Sequence, residues 1–351
     1  MSFGNSGENS SHRNKDIYSF PQYATEELEL NTINQKLKQT IQELNSMNRY
    51  QVKFVPGYAP EHKIHSRRNP NYFPLIHDSL SFDPIEQSVS QDMGLYLFDS
   101  ETNERTMIVL DGLSEGRLNM NTFEKEFLIM YMYDLMYPGR FENTPIRASR
   151  SQDMTCAAIV KIKPDLENPG YNKVKIKHIG DCTVFATWKT KNGQYKVGFL
   201  TIENTGEQAY QLGNIDNSIY SAQQFDRYNV TTFIEAGNSL IDENPRPYNR
   251  WTETNEFLIP DTYTLVACTD GTTGAAQNSE RLVNPLDGFV ETDNKSLFKK
   301  QVQIPQELYD MLTSGKPKDV DRLYEYWSRI VQDDQCMLFC IGRQSTPTLS
   351  Q

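Results

Sequence analysis

The chain has no long hydrophobic run. Across its 351 residues the apolar stretches are short and broken by polar side chains, so no segment reaches the ~20 apolar residues a membrane-spanning helix needs. The opening residues, MSFGNSGENSSHRNKD, contain no apolar h-region. They read as a disordered polar leader over 1–23, not as a secretory signal. Positive charge is also short. Lys and Arg number 35 against 46 Asp and Glu, for a net charge of −11, and that excess repels phosphate backbones and excludes nucleic acid as the main ligand. The local exception is the basic run 63–68, which reads as a solvated loop or as a contact for substrate phosphate. Cysteine is scarce. Cys156, Cys182, Cys268, Cys336 and Cys340 are odd in number and show no CxxC spacing. Four of them lie in apolar strand-like runs, where a thiol behaves as a small hydrophobe. The expectation is a reduced compartment, with neither a zinc site nor a disulfide framework.

What is present suits one sizeable core. Hydrophobic residues make up 37 % of the chain and aromatics 11 %, the usual range for a globular protein. Between residues 24 and 47, Ile33, Leu37, Ile41 and Leu44 recur at helical spacing, which predicts an amphipathic helix. Residues 24–87 read as a helical and loop extension that packs on the domain or binds a partner. Strands are expected at 93–98 and 105–110, a helix at 121–137 stopped by Pro138-Gly139, and strands at 155–162, 174–179 and 184–188. The helix is expected to bury Phe123, Phe127, Met130, Tyr131 and Leu135. Residues 201–256 are polar and turn-rich, too long for a plain connection, and read as a cap or flap insertion. A strand at 263–268, helices at 306–312 and 320–330, and a strand at 336–341 follow, with a tail at 344–351. Strand clusters alternating with paired helices predict an α/β fold built as an α/β/β/α sandwich of two antiparallel sheets flanked by helices.

Several apolar runs end or begin at aspartate. Met-Ile-Val-Leu-Asp111-Gly112 and Leu-Val-Ala-Cys-Thr-Asp270-Gly271 end there, Asp333-Asp334 precedes an apolar run, and Asp181 lies between two strands. One Asp-Gly pair is a common turn signal. A carboxylate cluster at one end of a sheet, however, is repulsive unless cations sit in it. Mg2+ and Mn2+ prefer such hard oxygen ligands, and two such ions ~4 Å apart can activate water and stabilise charge on a transferred phosphorus group.

The order of these motifs over residues 88–343 resembles the metal-dependent protein phosphatase (PPM) family. Asp111-Gly112 resembles the family's first metal motif, Ile179-Gly180-Asp181 its Gly-Asp-Ser motif, and Thr269-Asp270-Gly271 its Ser-Asp-Gly motif. Asp333-Asp334 resembles its terminal Asp-Asn, Gln91-Asp92 its Glu-Asp pair, and Thr155-Cys156-Ala157-Ala158 the strand after Gly-Ser-Thr-Ala. The resemblance implies two Mg2+ or Mn2+ ions held by Asp111, the Gly112 carbonyl, Asp270 and Asp333. Asp92 would bind water on those ions, and Asp181 would hold a third ion. Asp92 and Asp111 carry the catalytic role in that reading.

The departures have a chemical direction. Gln87 stands where the family has its phosphate-gripping arginine, Leu113 where it has the histidine that protonates the leaving group, and Gly274 where an aspartate is usual. A tyrosyl oxygen, with reference pKa near 10, leaves with less help than an alkoxide. A phosphodiester carries one charge where a monoester carries two. Both losses therefore suit an aryl phosphodiester such as adenylylated tyrosine, unless Arg67, Arg68, Arg147 or Arg150 supplies the grip from another loop. A subgroup resembles the chain in this respect: the PPM-fold effector enzymes of Legionella, one of which removes AMP from Rab GTPases. That resemblance implies an AMP-modified Rab-type GTPase as partner and a secreted, monomeric effector in the host cytosol (otherwise a cytoplasmic enzyme). Membrane contact would come only through a region outside this chain. The alternatives are a Ser/Thr phosphatase of the same family and a metal-binding pseudophosphatase serving as an interaction module. Trp251 reads as a cap anchor or as a surface for the adenine, and Trp188 and Trp327 as core or cap anchors. His178 reads as a half-buried structural residue and His77 as part of a loop.

Overall fold

The computed structural model describes residues 21–58, 85, 90–112, 122–138, 154–179, 182–201, 234–235, 253–272, 298, 300–328 and 334–343. In chain order these form α1 (Pro21–Ser46), β1 (Tyr50–Pro56), β2 (Met93–Asp99), β3 (Glu104–Gly112), α2 (Thr122–Met136), β4 (Met154–Pro164), β5 (Tyr171–Ile179) and β6 (Thr183–Lys189). They continue with β7 (Tyr195–Phe199), β8 (Ile234–Glu235), β9 (Glu253–Pro260), β10 (Thr264–Cys268), β11 (Lys300–Ile304), α3 (Gln306–Ser314), α4 (Pro317–Ser328) and β12 (Met337–Cys340). One sheet runs β1-β2-β3-β4-β5-β9, with β8 paired to β4, and the other runs β11-β7-β6-β10-β12. Every pairing between them is antiparallel. The expected α/β/β/α sandwich is the architecture observed.

Three apolar layers hold it together, each following from strand alternation, in which successive side chains face opposite ways. On β3, Ile108 and Leu110 face the helices, where they join Leu95 of β2, Ile159 of β4, Leu37 and Leu44 of α1 and Phe127, Leu128 and Met132 of α2. Met107 and Val109 face the second sheet and meet Val184, Ala186, Leu265, Ala267 and Leu338. Behind that sheet, Phe185, Phe199 and Val266 pack on Leu308, Met311 and Leu312 of α3 and on Leu323, Tyr324 and Trp327 of α4. The α1 stripe forms as predicted, with Leu37 and Leu44 fully buried and Ile33 and Ile41 at its margin. The buried face of α2 is broader than the predicted one and overlaps it at Phe127, with Tyr131 and Leu135 packed against the same core; the side chain of Phe123 lies outside the described residues. Phe127, Leu128, Ile129, Met132 and Met136 are buried, whereas Met130, Tyr131 and Leu135 are only partly so. An all-round apolar helix offers no polar stripe from which to read its orientation.

Residues 50–56, expected in a loop, form β1 at the edge of the first sheet. Their alternation of Tyr50, Val52 and Phe54 with Gln51 and Lys53 was obscured by the polar sequence that follows. The strands β7, β9 and β11 also lay outside the expectations. The latter two are edge strands, buried on one face at most, and so read as polar. Trp188 is a core residue, stacked on Tyr263 and Phe298 with ring centroids 4.9 Å away in each case, and Trp327 is buried between α4 and the second sheet. All five cysteines are thiols, with no disulfide among them. Among the described residues no helix is long and apolar enough to cross a membrane.

At the hairpin end of β2, Arg49 grips Asp99 with two hydrogen bonds, Nε to Oδ1 at 3.0 Å and Nη2 to Oδ2 at 2.7 Å. The guanidinium holds the Asp99 carboxyl down at about 2, and paired Arg–carboxylate forks are among the stronger charged contacts. A depressed folded-state pKa stabilises above the unfolded value and is lost as protons bind to the native carboxylate. Asp99→Asn is therefore expected to lower Tm at pH 7 by a few degrees, on the order of 1 kcal/mol. The gap to the unaltered protein should shrink between about pH 4 and pH 2. Thermal melts of both proteins across that range check this; a gap independent of pH would contradict it.

Candidate active site

The carboxylates reach one place because of strand direction. Met93, the first residue of β2, pairs with Leu110 of β3, so Asp92 and Asp111 sit at the same end of the first sheet. Gly112 pairs with Thr155 at the start of β4, and the Thr155 hydroxyl donates to the Asp111 carbonyl at 2.7 Å. In the second sheet Cys268, the last residue of β10, pairs with Thr183 of β6 and Met337 of β12. Asp270 and Asp334 therefore flank the corresponding end of that sheet.

The two ends are bound to each other. The Gln91 N–H donates to Asp334 Oδ2 at 2.6 Å. Tyr58 and Gln335 exchange backbone hydrogen bonds of 2.6 and 2.8 Å, and the Tyr58 ring stacks on Tyr324 at 5.2 Å. Gly271 follows Asp270 so closely against the Asp334 carbonyl that a Cβ there would overlap it. Within the second sheet, Thr269 extends the β10–β12 pairing, accepting from the Cys336 N–H at 2.9 Å through its hydroxyl and donating its own N–H to the Cys336 carbonyl at 3.1 Å.

Asp92 is 2 % exposed and Asp111 7 %, while Asp270 is half-buried. Burial pushes the Cys336 thiol well above its ordinary value, and the Asp92 charge adds to it. Burial likewise raises the Tyr324 hydroxyl, with contributions from Cys336 and Asp92, and that hydroxyl accepts the Met337 N–H at 3.1 Å. Both groups stay neutral, so Cys336 has no thiolate with which to act as a nucleophile.

Four of the expected site residues, Asp92, Asp111, Gly112 and Asp270, are thus at one end of the sandwich. Asp181, Asp333, Arg67, Arg68, Arg147, Arg150, Trp251 and His77 lie outside the described residues. His178 is fully buried rather than half-buried, in register with Ala158 and Glu253. One acidic residue at this end was not anticipated. A Cβ placed on Gly112 would lie 3.0 Å from Glu124 Oε1 and 2.9 Å from the Gln91 carbonyl oxygen, so the Glu124 carboxylate rests against the Gly112 backbone. Its only sequence signal is an acidic residue in the first turn of α2.

Among the described residues no three Asp, Glu, His or Cys side chains form a group that could hold a metal ion by themselves. The donors are nonetheless carboxylate and backbone carbonyl oxygens, the hard ligands that Mg2+ and Mn2+ take. Gly112 also leaves open the space between the Gln91 carbonyl and Glu124 that any side chain would fill. In donor chemistry, the Asp111 carboxylate and the Gly112 carbonyl suit a divalent cation.

No family model matches the chain, and no curated protein matches it by sequence. Among solved structures it is similar to the serine/threonine phosphatase of S. agalactiae, at 16 % identity over 72 % of this chain and 93 % of that one, with a TM-score of 0.41. It is similar also to the PPM Ser-Thr phosphatase MsPP of Mycobacterium smegmatis in complex with cacodylate, at 12 % identity over 84 % and 98 % of the two chains and a TM-score of 0.37. A third is the catalytic domain of the serine/threonine protein phosphatase PstP in complex with two manganese ions, at 12 % identity over 83 % and 96 % and a TM-score of 0.37. At these scores the likeness carries no argument about activity, and the layout of sheets, helices and carboxylates stands on this chain's own geometry.

The close approach at Gly271 is testable. Gly271→Ala is expected to cost about 1–3 kcal/mol by forcing the 270–272 turn away from the Asp334 carbonyl. Urea unfolding measures it, and a cost below about 0.5 kcal/mol would contradict the packing described.

Proposed function

We propose that the chain is a metal-dependent hydrolase of phosphoric esters of the PPM type, with phosphoserine and phosphothreonine proteins as the first substrate class. The observation that carries this reading is the convergence of Asp92, Asp111-Gly112 and Asp270 at one end of two facing sheets, closed by the Gln91–Asp334 bond. Asp111, the Gly112 carbonyl, Asp270 and Asp333 would hold two Mg2+ or Mn2+ ions, and Asp181 a third. Bound there, such ions lower the pKa of water and neutralise charge building on the phosphoryl group. Asp92 orients the attacking water. Its burial beside β2 and β12 keeps that carboxylate in one place, which is what alignment with the phosphorus demands. Arg67, Arg68 and Arg150 are the candidate partners for the substrate phosphate.

A specific sequence observation favours a second reading. Gln87 and Leu113 offer neither an arginine fork for a dianionic phosphate nor a proton for a basic leaving group. An aryl phosphodiester needs less of both, so the substrate in this reading is an AMP-modified tyrosine on a Rab-type GTPase, with Trp251 against the adenine. The enzyme would then work in a host cytosol, with membrane contact coming from a region outside this chain.

The two readings separate by product. With Mn2+ supplied, a phosphothreonine peptide and an AMP-tyrosine GTPase are offered together and the products weighed by mass spectrometry. Inorganic phosphate alone supports the first reading and free AMP alone the second. Asp111→Ala is expected to lower kcat/KM about 100-fold or more on whichever substrate turns over. Full activity in that variant, or in protein stripped of metal by a chelator, would overturn the proposal.

A further inference from the structure

The outer face of the first sheet is apolar only as far as α1 and α2 reach. That core ends on β4 at Ile159, and no residue of β5 or β9 joins it. Val160 and Ile162 of β4, Val174 and Ile176 of β5 and Ile259 of β9 face the second sheet. Strand alternation therefore turns Lys161, Lys163, Lys173, Lys175 and Lys177 outward, with Tyr171 of β5 and Glu256 and Leu258 of β9. Register sets the lysines as a ladder. Lys161 stands directly opposite Lys175 and Lys163 opposite Lys173, and Lys177, opposite Ile159, is the next rung. Like charges placed directly opposite each other repel. The repulsion reaches Lys177, whose ammonium is brought below its ordinary value by burial first and then by the charges of Lys161 and Lys175.

Protection of a sheet edge does not account for this ladder. Lysine on an edge strand blocks pairing with other sheets, but β4 and β5 are interior strands, with β9 outside them. Neighbouring acids do not cancel it either. Lys161 approaches Glu104 at 3.5 Å, Lys175 approaches Glu256 at 3.8 Å, and Lys173 approaches Asp165 and Glu167 at 3.9 Å. Contacts of that length between exposed lysines and rim carboxylates contribute little and exchange readily. Asp165 is moreover held by its own turn, accepting the Glu167 N–H at 3.0 Å and Asn168 Nδ2 at 2.7 Å. Among the described residues no carboxylate lies at ion-pairing distance from Lys163 or Lys177.

In a chain of net charge −11, such a face is a local positive field that attracts an anion. Every second residue of a strand lies ~7 Å further along, so the rungs share their repeat with alternate side chains of another extended segment. A short acidic segment covers the lysines alone, whereas a bilayer or a nucleic acid also meets the acidic remainder of the chain. Leu258 is 40 % and Tyr171 42 % exposed; the first stands opposite Lys173 and the second two residues before it, giving the ladder an apolar end. We infer that the outer face of β4 and β5 docks an extended acidic segment of a partner protein, with carboxylates at every second residue and an apolar residue beside Leu258 and Tyr171. The inference is independent of the metal-dependent reading, because no group at the Asp111 end takes part in it.

Fluorescence anisotropy of labelled peptides added to the full chain tests it. One peptide alternates glutamate with serine and ends in leucine; the other has the same composition with its glutamates in one block. The alternating peptide is expected to bind about threefold or more tightly than the blocked one. Lys163→Glu combined with Lys175→Glu turns both opposed lysine pairs into lysine–glutamate pairs. That variant is expected to bind the alternating peptide about 10-fold or more weakly and to melt no lower than the unaltered chain. Lys53→Glu combined with Lys191→Glu makes the same change of net charge at exposed positions on β1 and in the β6–β7 turn, and is expected to bind as the unaltered chain does. Equal binding of the two peptides, equal loss in this control, or no binding of the alternating peptide at about 1 mM overturns the inference. Lysine-dependent capture by phosphatidylserine vesicles in place of the peptide overturns it too.

Discussion

The site depends on the joining of two sheets at their acidic ends. Facing sheets packed only through apolar side chains can slide, because that attraction is non-directional. Here the sliding is stopped by directional bonds: Gln91 N–H to the Asp334 carboxylate and the Tyr58–Gln335 backbone pair. A hydrogen bond to a charged acceptor is worth about 1.5–3 kcal/mol, and these contacts lie within a few residues of Asp92 and Asp334. The distance between the carboxylates of one sheet and those of the other is thereby set by backbone bonding. Long flexible side chains are not asked to do it.

That arrangement concentrates negative charge where little water reaches. Burial raises the Cys336 thiol and the Tyr324 hydroxyl well above their ordinary values, with the Asp92 charge adding to the first and Cys336 and then Asp92 adding to the second. A centre of this kind suits chemistry in which cations organise water and an anionic ester. It is unsuited to attack by a protein thiolate. The tie of Lys125 to Asn34 and Ile85 carries the same logic outward, since a buried charge with fixed partners determines where α2, and with it Glu124, must sit.

Much of this was legible in the sequence, and for a physical reason. An apolar β-run that ends in Asp-Gly gives both a strand and the side of the sheet where it stops, so Asp111 and Asp270 were readable together with their surroundings. The helix stripe of Ile33, Leu37, Ile41 and Leu44 was readable because one face of α1 is polar. Strands β1, β9 and β11 were not, because sheet edges carry polar residues that resemble loop. Glu124 was hidden for the opposite reason. Its helix is apolar on most sides, and the charged first turn gains meaning only once Gly112 is seen beside it. The chemical direction drawn from Gln87 and Leu113 belongs to residues outside the described ones, as do Asp181, Asp333 and the candidate arginines.

A divalent-cation centre built on Asp111 and Gly112 at the acidic end of the sandwich is what every functional step above requires. Crystals grown with Mn2+ and measured at the manganese absorption edge test it most directly. Anomalous peaks are expected at coordination distance, about 2.0–2.6 Å, from the Asp111 carboxylate and the Gly112 carbonyl oxygen. Manganese bound only elsewhere on the protein, with none at that end of the sheets, would contradict it.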